Sequence, residues 1–412
     1  LKNLVQHSAR ANREPYLERG TNPGTTTGRL LVKIATLFLF LHVGCGWFSS
    51  ENAVTGEPAT IQETSSPKPS GPPLRFGYFH GGRNMLVYRA WIDNWFDKEG
   101  VSIRLMATKI ATSREFHEMP KSVEELNRVK ATASAREFGR TTGPTILGAL
   151  KAKELDCGMI GESTFILAIE QGLPMTAITK LGQDDAKTPG KIVVVRSDLD
   201  IQSPQDLIGK NIGSRESGPY DMVMTREWIL GQGLELQQMR IKDQIPNRKL
   251  KEMLKKKKLD LAFLHLHIAA KSVRAGRYKP YPNFNFDFAN PQLSQALLVC
   301  RNEVLQERRE ELTQFISIYK KRIDFEQSLT KAQRLTHDGD KTLGMDMSFF
   351  KGLNIPQYDP IPLIDVSILK EMQGLILKHG IISKAPDITA HVDNSLTEEA
   401  LKRVAAQKQS PQ

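Results

Sequence analysis

Apolar and polar positions alternate in blocks along this chain, and from residue 74 onward the blocks read as strand, helix, strand. Leu74-Arg75-Phe76-Gly77-Tyr78-Phe79 is a short apolar run ended by His80-Gly81-Gly82, which predicts a strand and a loop. Tyr88, Trp91, Ile92, Trp95 and Phe96 recur three and four apart, the spacing of one helix face, and Gly100 stands where a helix C-cap belongs. Val101 to Met106 predicts the next strand, and a strand-helix-strand unit implies parallel pairing with a right-handed crossover. A helix Pro144 to Glu154, a strand Leu155 to Ile160, a helix Thr164 to Gln171 and a strand Met175 to Leu181 follow. Further strands are expected at Lys191 to Arg196, Lys210 to Ser214, Leu236 to Ile241, Leu259 to Leu266 and Tyr278 to Phe284. Ser203 reads as an N-cap ahead of Pro204, and Tyr220 to Leu230 as a helix. Leu297 to Arg301 is a last apolar run. From Val304 the chain reads as mostly helical, with Leu305, Leu312, Phe315, Ile316, Tyr319 and Ile323 on one stripe.

Two α/β lobes account for this pattern, with the chain crossing between them at about 194 and again at about 298. The first lobe takes 74–193 and 299–412 and the second takes 194–298. The stretch 109–140 breaks the rhythm and reads as an insertion, with a charged helix from Ser122 to Phe138.

The first 73 residues are not expected to join this fold. After a basic Gly28-Arg29-Leu30-Leu31-Val32-Lys33, an apolar run from Ile34 to Val43 leads into Gly44-Cys45-Gly46, the order of an export signal. The run is too short to span a bilayer, which takes about 20 residues. Cys45 directly after Gly44 resembles the lipidation point of a bacterial lipoprotein, although Leu41 stands one place further from the cysteine than such signals favour; plain secretion and an uncleaved anchor remain open. Residues 1–45 therefore form an upstream tail and signal. Residues 46–73, rich in Ser, Thr, Glu, Pro and Gly, cannot offset their own ordering entropy and read as a flexible tether.

Composition narrows the function. In 412 residues, 57 Lys+Arg stand against 46 Asp+Glu, a formal net charge of +11. Such a balance suits nucleic acid, a membrane surface or an anionic small molecule. Residues 1–50 hold six of the basic and two of the acidic residues, so part of the excess lies in the export end. The run Lys255-Lys256-Lys257-Lys258 lacks interleaved aromatics and reads as a solvated helix end, so no nucleic-acid partner is expected. Of three cysteines, Cys157 and Cys300 fall in apolar strands and are expected to be buried thiols. His265 and His267 share a strand face without a suitably spaced partner, so no metal and no cofactor is expected. Motifs of the G-x-S-x-G, P-loop and H-E-x-x-H kind do not occur, so an enzyme is not expected.

Several segments, in order, carry a resemblance: Ser203-Pro204-Gln205-Asp206-Leu207-Ile208-Gly209-Lys210-Asn211-Ile212-Gly213, Lys257-Lys258-Leu259-Asp260-Leu261-Ala262, the run Ala296 to Arg301 before a long helix, Tyr358-Asp359-Pro360 and Gly380-Ile381-Ile382. Over roughly 74–400 the chain resembles the periplasmic substrate-binding proteins of ABC importers, in the nitrate, sulfonate, taurine and thiamine-precursor superfamily. The resemblance implies a two-lobe periplasmic binding protein type 2 fold whose lobes are joined by two crossover strands and close on a solute. It also implies an ABC permease as partner and a periplasmic or cell-surface location, with the lipid anchor holding the protein to the membrane. A pyrimidine or thiamine precursor as ligand and a tethered sensor are the other readings it allows.

By the same resemblance the site is built from loops that follow strands: His80, Gly81, Arg83 and Asn84; Arg140, Thr141 and Thr142; Glu162 and Ser163; Arg215, Ser217 and Gly218, with Tyr220 beyond. Each loop precedes a helix and can present free backbone N–H groups to an anion. Arginines offer bidentate contacts to a carboxylate or sulfonate, and Tyr220 a face for a flat ring. Turn and capping chemistry explains each loop equally well. Glu162 argues the other way and favours a cationic or hydrogen-donating ligand, so the ligand's charge stays open.

Overall fold

In a computed structural model of the chain, the described residues are 71–409 without 80–81, 109–113, 132–140, 184–190, 217, 266–268, 270–271, 282–292, 331 and 335–357. The expected signal, Cys45 and the tether lie outside the described residues, as do His80, Gly81, Arg140, Ser217 and His267.

Two sheets organise the described residues. The first has six strands: β1 (Leu74–Gly77), β2 (Ile103–Thr108), β3 (Phe116–Glu118), β4 (Cys157–Gly161), β5 (Met175–Gln183) and β11 (Gln295–Arg301), in the order β3-β2-β1-β4-β11-β5. The second has five: β6 (Lys191–Arg196), β7 (Asn211–Arg215), β8 (Arg240–Ile245), β9 (Leu261–His265) and β10 (Tyr278–Pro280), in the order β10-β6-β9-β7-β8. The chain thus passes from the first sheet to the second between β5 and β6 and returns between β10 and β11. As the pattern predicts, β1 runs parallel to β2, with Leu74 opposite Ile103. The returning strand β11 lies antiparallel between β4 and β5.

The helices are α1 (Met85–Ile92), α2 (Trp95–Lys98), α3 (Val123–Ala131), α4 (Gly143–Lys151), α5 (Glu162–Glu170), α6 (Pro219–Gly231), α7 (Asn247–Lys255), α8 (Asn302–Glu307), α9 (Arg309–Ser328), α10 (Val366–Lys378) and α11 (Ser395–Gln409). The aromatic stripe at 88–96, read as one helix, is two. Asn94 adopts a left-handed φ of 58°, which asparagine tolerates better than most residues, and this ends α1 before α2 starts. The strand expected at Leu236 to Ile241 starts later, because Glu235 and Gln238 cap a short turn over Leu236–Gln238. The stretch 109–140, read as outside the α/β rhythm, adds β3 to the edge of the first sheet through pairing with β2.

Burial on both faces explains why the strands read as unbroken apolar runs rather than alternating ones. On one face of the first sheet, Phe76, Met159 and Leu298 pack with α1 and with Leu312, Phe315, Ile316, Tyr319 and Ile323 of α9. There Phe315 stacks between Phe76 at 4.7 Å and Phe96 at 4.9 Å. On the other face, Ile160, Leu297 and Val299 pack with α4, α5 and α10 in a core that continues into Val193, Val195, Leu261, Phe263 and the α6 residues Met224 and Trp228. Val194, Ala262 and Leu264 point away from it, toward Leu250 and Leu254 of α7. Gly77 and Gly158 face each other in β1 and β4, and a Cβ on Gly158 would come within 2.4 Å of Ile146. Their lack of side chains lets α4 seat directly on the sheet.

One expectation needs correction. Cys157 and Cys300 are fully buried, but they are joined as a disulfide rather than being two thiols. Register decides this: the two residues stand directly opposite in β4 and β11. Strand pairing across a separation of 143 residues is not written in the local pattern around either cysteine.

Candidate functional site

Helices α4 and α5 flank β4 of the first sheet, and α6 follows β7 of the second. Their N-termini converge on Thr164. A Cβ on Gly143, the first residue of α4, would stand 2.8 Å from the Thr164 hydroxyl, and a Cβ on Gly218, the N-cap of α6, would stand 3.0 Å from the same atom. Gly218 has a φ of 88°, a backbone conformation open to glycine at little cost. Three helix starts drawn from two sheets therefore meet in one place, each bringing the positive end of a helix dipole.

Charged and polar side chains line the same place. Glu162 opens α5 and is 1% exposed; its Oε2 accepts the backbone N–H of Gln295 at 2.8 Å and lies 3.5 Å from Nη1 of Arg83. Lys191, at the start of β6, is also buried. Its Nζ donates to the Ser294 hydroxyl at 2.8 Å and sits 3.4 Å above the Tyr220 ring. Lys191 begins the first strand after one inter-sheet passage and Ser294 ends the other, so the two passages are bonded to each other beside the site. Arg83 packs on β5, where a Cβ on Gly182 would meet the Arg83 backbone at 2.9 Å. Asn84 and Gln295 are fully buried, and neither amide has a hydrogen-bond partner among the described residues.

Of the residues expected in the site, the structure brings together Arg83, Asn84, Glu162, Ser163, Gly218 and Tyr220. Thr141 accepts the Thr108 N–H at 3.0 Å, and Thr142 caps α4 by accepting from Thr145. Arg215 is buried in an ion pair with Asp221 of the first turn of α6, Nε to Oδ2 at 2.5 Å. Sequence reasoning missed Lys191, Ser294 and Gln295. All three are polar residues directly ahead of the apolar runs at 192–195 and 296–300, a signal available in the sequence.

Burial pushes the Glu162 carboxyl above its ordinary range, while Arg83 and Lys191 pull it back. A carboxyl raised in the folded state contributes stability that is present below its unfolded value of about 4.3 and is lost as pH rises through the folded value. Glu162→Gln is thus expected to gain stability relative to the unaltered protein as pH climbs above about 4.3. Melting curves of both proteins across that window check the sign, and a difference that stays flat with pH would refute it.

Residues 143–327 match the NMT1/THI5-like family model. No curated protein matches the chain in sequence. Among solved structures, the alkanesulfonate-binding protein SsuA from Xanthomonas axonopodis pv. citri, bound to MOPS, superposes with a TM-score of 0.56 at 11% identity, covering 80% of this chain and 100% of that one. A Candida albicans protein described as having the generic periplasmic binding protein fold superposes at 0.52 and 13% identity, covering 78% and 96%. The desulfurization enzyme DSZB superposes at 0.53 and 11% identity, covering 81% and 99%. Residues 143–327 thus carry the NMT1/THI5-like match, and the chain has the periplasmic binding protein fold.

Proposed function

We propose that this chain is an exported solute-binding protein that captures a small anionic organic solute, of sulfonate or carboxylate type, between its two sheets and hands it to an ABC importer. The observation that carries this reading is the meeting of the α4, α5 and α6 N-termini at Thr164. Helix starts supplied by both lobes favour an anion, and a ligand touching both favours the closed arrangement of the lobes. Arg83 and Lys191 add two cations against the single carboxylate of Glu162, a balance that also suits an acid. DSZB bears the same fold and is an enzyme, so the fold alone does not separate binding from catalysis. A binding role is favoured because both cysteines of the folded body are tied in one disulfide, leaving no thiol nucleophile there.

Melting temperature in the presence of sulfonates, nitrate, carboxylates and pyrimidines tests the reading. A ligand present at about 100 times its dissociation constant adds about 2.7 kcal/mol. One organic acid is therefore expected to raise the melting point by several degrees. A shift confined to uncharged pyrimidines would transfer the reading to precursor binding, and a panel with no shift at all would overturn it. The anchor is tested separately: mass spectrometry of the Cys45 peptide from the membrane fraction is expected to show a lipid adduct, and a bare thiol would remove the lipoprotein assignment.

A further inference from the structure

Two buried primary amides, Asn84 and Gln295, stand at the same site as Glu162 and Arg83, with all four of their polar side-chain atoms unpaired among the described residues. Asn84 closes the short turn Gly82–Asn84, which packs against β5 and β11. Gln295 is the first residue of β11, and its backbone N–H is the group that Glu162 accepts. Ala296, its neighbour in β11, is registered opposite Gly182 of β5, the residue on which Arg83 rests.

An unpaired buried amide lowers stability, because each N–H and C=O loses its water without a replacement. The free protein tolerates two of them in a turn and a strand that pack together, which is the pattern of a site whose partner is a ligand. A primary amide presents donors and an acceptor together. A purely accepting group such as a sulfonate or nitrate can satisfy the amide N–H groups and leaves both amide oxygens unpaired. A ligand carrying an N–H next to a C=O satisfies both.

Building on the anion-capture reading above, we infer that the solute carries two recognition groups: an acid for the helix N-termini and an amide-type N–H/C=O edge for Asn84 and Gln295. Carboxamido, ureido and lactam acids belong to this class. Simple alkanesulfonates and nitrate do not. Lacking an N–H, such a ligand strands buried acceptors, and sites built to hydrogen-bond a polar group reject analogues without it far more strongly than sites built for shape alone.

Calorimetry on the full chain with matched probes tests this. Succinamate is paired with levulinate, which replaces the amide NH2 by methyl, and sulfopropionamide is paired with butanesulfonate. In at least one pair the amide is expected to bind at least about tenfold tighter. Equal affinity within both pairs would overturn the amide edge and leave anion capture standing. Failure of all four probes, together with a featureless melting panel, would remove both. The variants Asn84→Leu and Gln295→Met keep the side-chain size and drop the polar atoms. They are expected to erase the within-pair preference while leaving the unliganded melting temperature equal or higher. A melting temperature several degrees lower in both variants would assign the amides to the fold and overturn the inference.

Discussion

Replacing Cys157 and Cys300 together by alanine lowers the melting temperature of the folded body by about 6–10 °C. The bridge spans 143 residues, and in the chain-entropy account a loop of that length restrains the unfolded state by about 5 kcal/mol. Measured bridges commonly deliver less, so roughly 3–5 kcal/mol is expected, and a domain of this size loses about 2 °C per kcal/mol. The bridge also ties β11 to β4, so it acts where the chain returns from the second sheet to the first. Reductant alone reaches the buried bond slowly, which makes the double variant the cleaner measurement, with alkylation of denatured protein to count thiols. An unaltered melting temperature in the double variant would show that the bridge adds nothing. A persistent disulfide belongs with an oxidising compartment outside the cytosol, in keeping with an exported protein.

Arg215→Ala destabilises the protein by about 3–5 kcal/mol, because it leaves Asp221 charged in a place with no access to water. Arg215 ends β7 ahead of a helix start, the position from which the sequence suggests a ligand contact. Its guanidinium instead closes on the first turn of its own helix α6. Replacing both partners by apolar residues of similar size, Arg215→Met with Asp221→Leu, is expected to recover most of the loss, since paired buried charges contribute little beyond the desolvation they offset. Chemical denaturation of the single and double variants gives the comparison. If Arg215→Ala kept full stability and lost only ligand affinity, the arginine would be a ligand contact and the structural account would fall.

Much of the candidate site was legible because loops at strand ends before helices are where backbone N–H groups go unpaired. Ser163 and Gly218 come from such loops and stand where the three helix starts gather, with Glu162 opening α5 and Arg83 beside its carboxyl. Lys191 and Gln295 escaped because they are the polar first residues of apolar strands, where local pattern offers only a strand start. Their importance comes from being brought to Glu162 and Tyr220 by two passages about 100 residues apart, Lys191 and Ser294 being separated by 103.

The amino-acid pattern alone determined the kind and order of the elements. A strand buried on both faces must be apolar throughout, and a helix with one buried face must repeat at three and four, so β4, β6, β11 and α9 announce themselves locally. It also suggested two α/β blocks, since the apolar run at 296–300 stands apart from the block before it and leads directly into the long helix. The tertiary structure alone decided which strands are neighbours and which buried groups meet. The disulfide, the Arg215–Asp221 pair, the Lys191–Ser294 link and the orphaned amides of Asn84 and Gln295 all depend on strand pairing or helix docking. Local propensity is set by neighbours a few residues away, whereas these contacts are selected by the packing of the whole body.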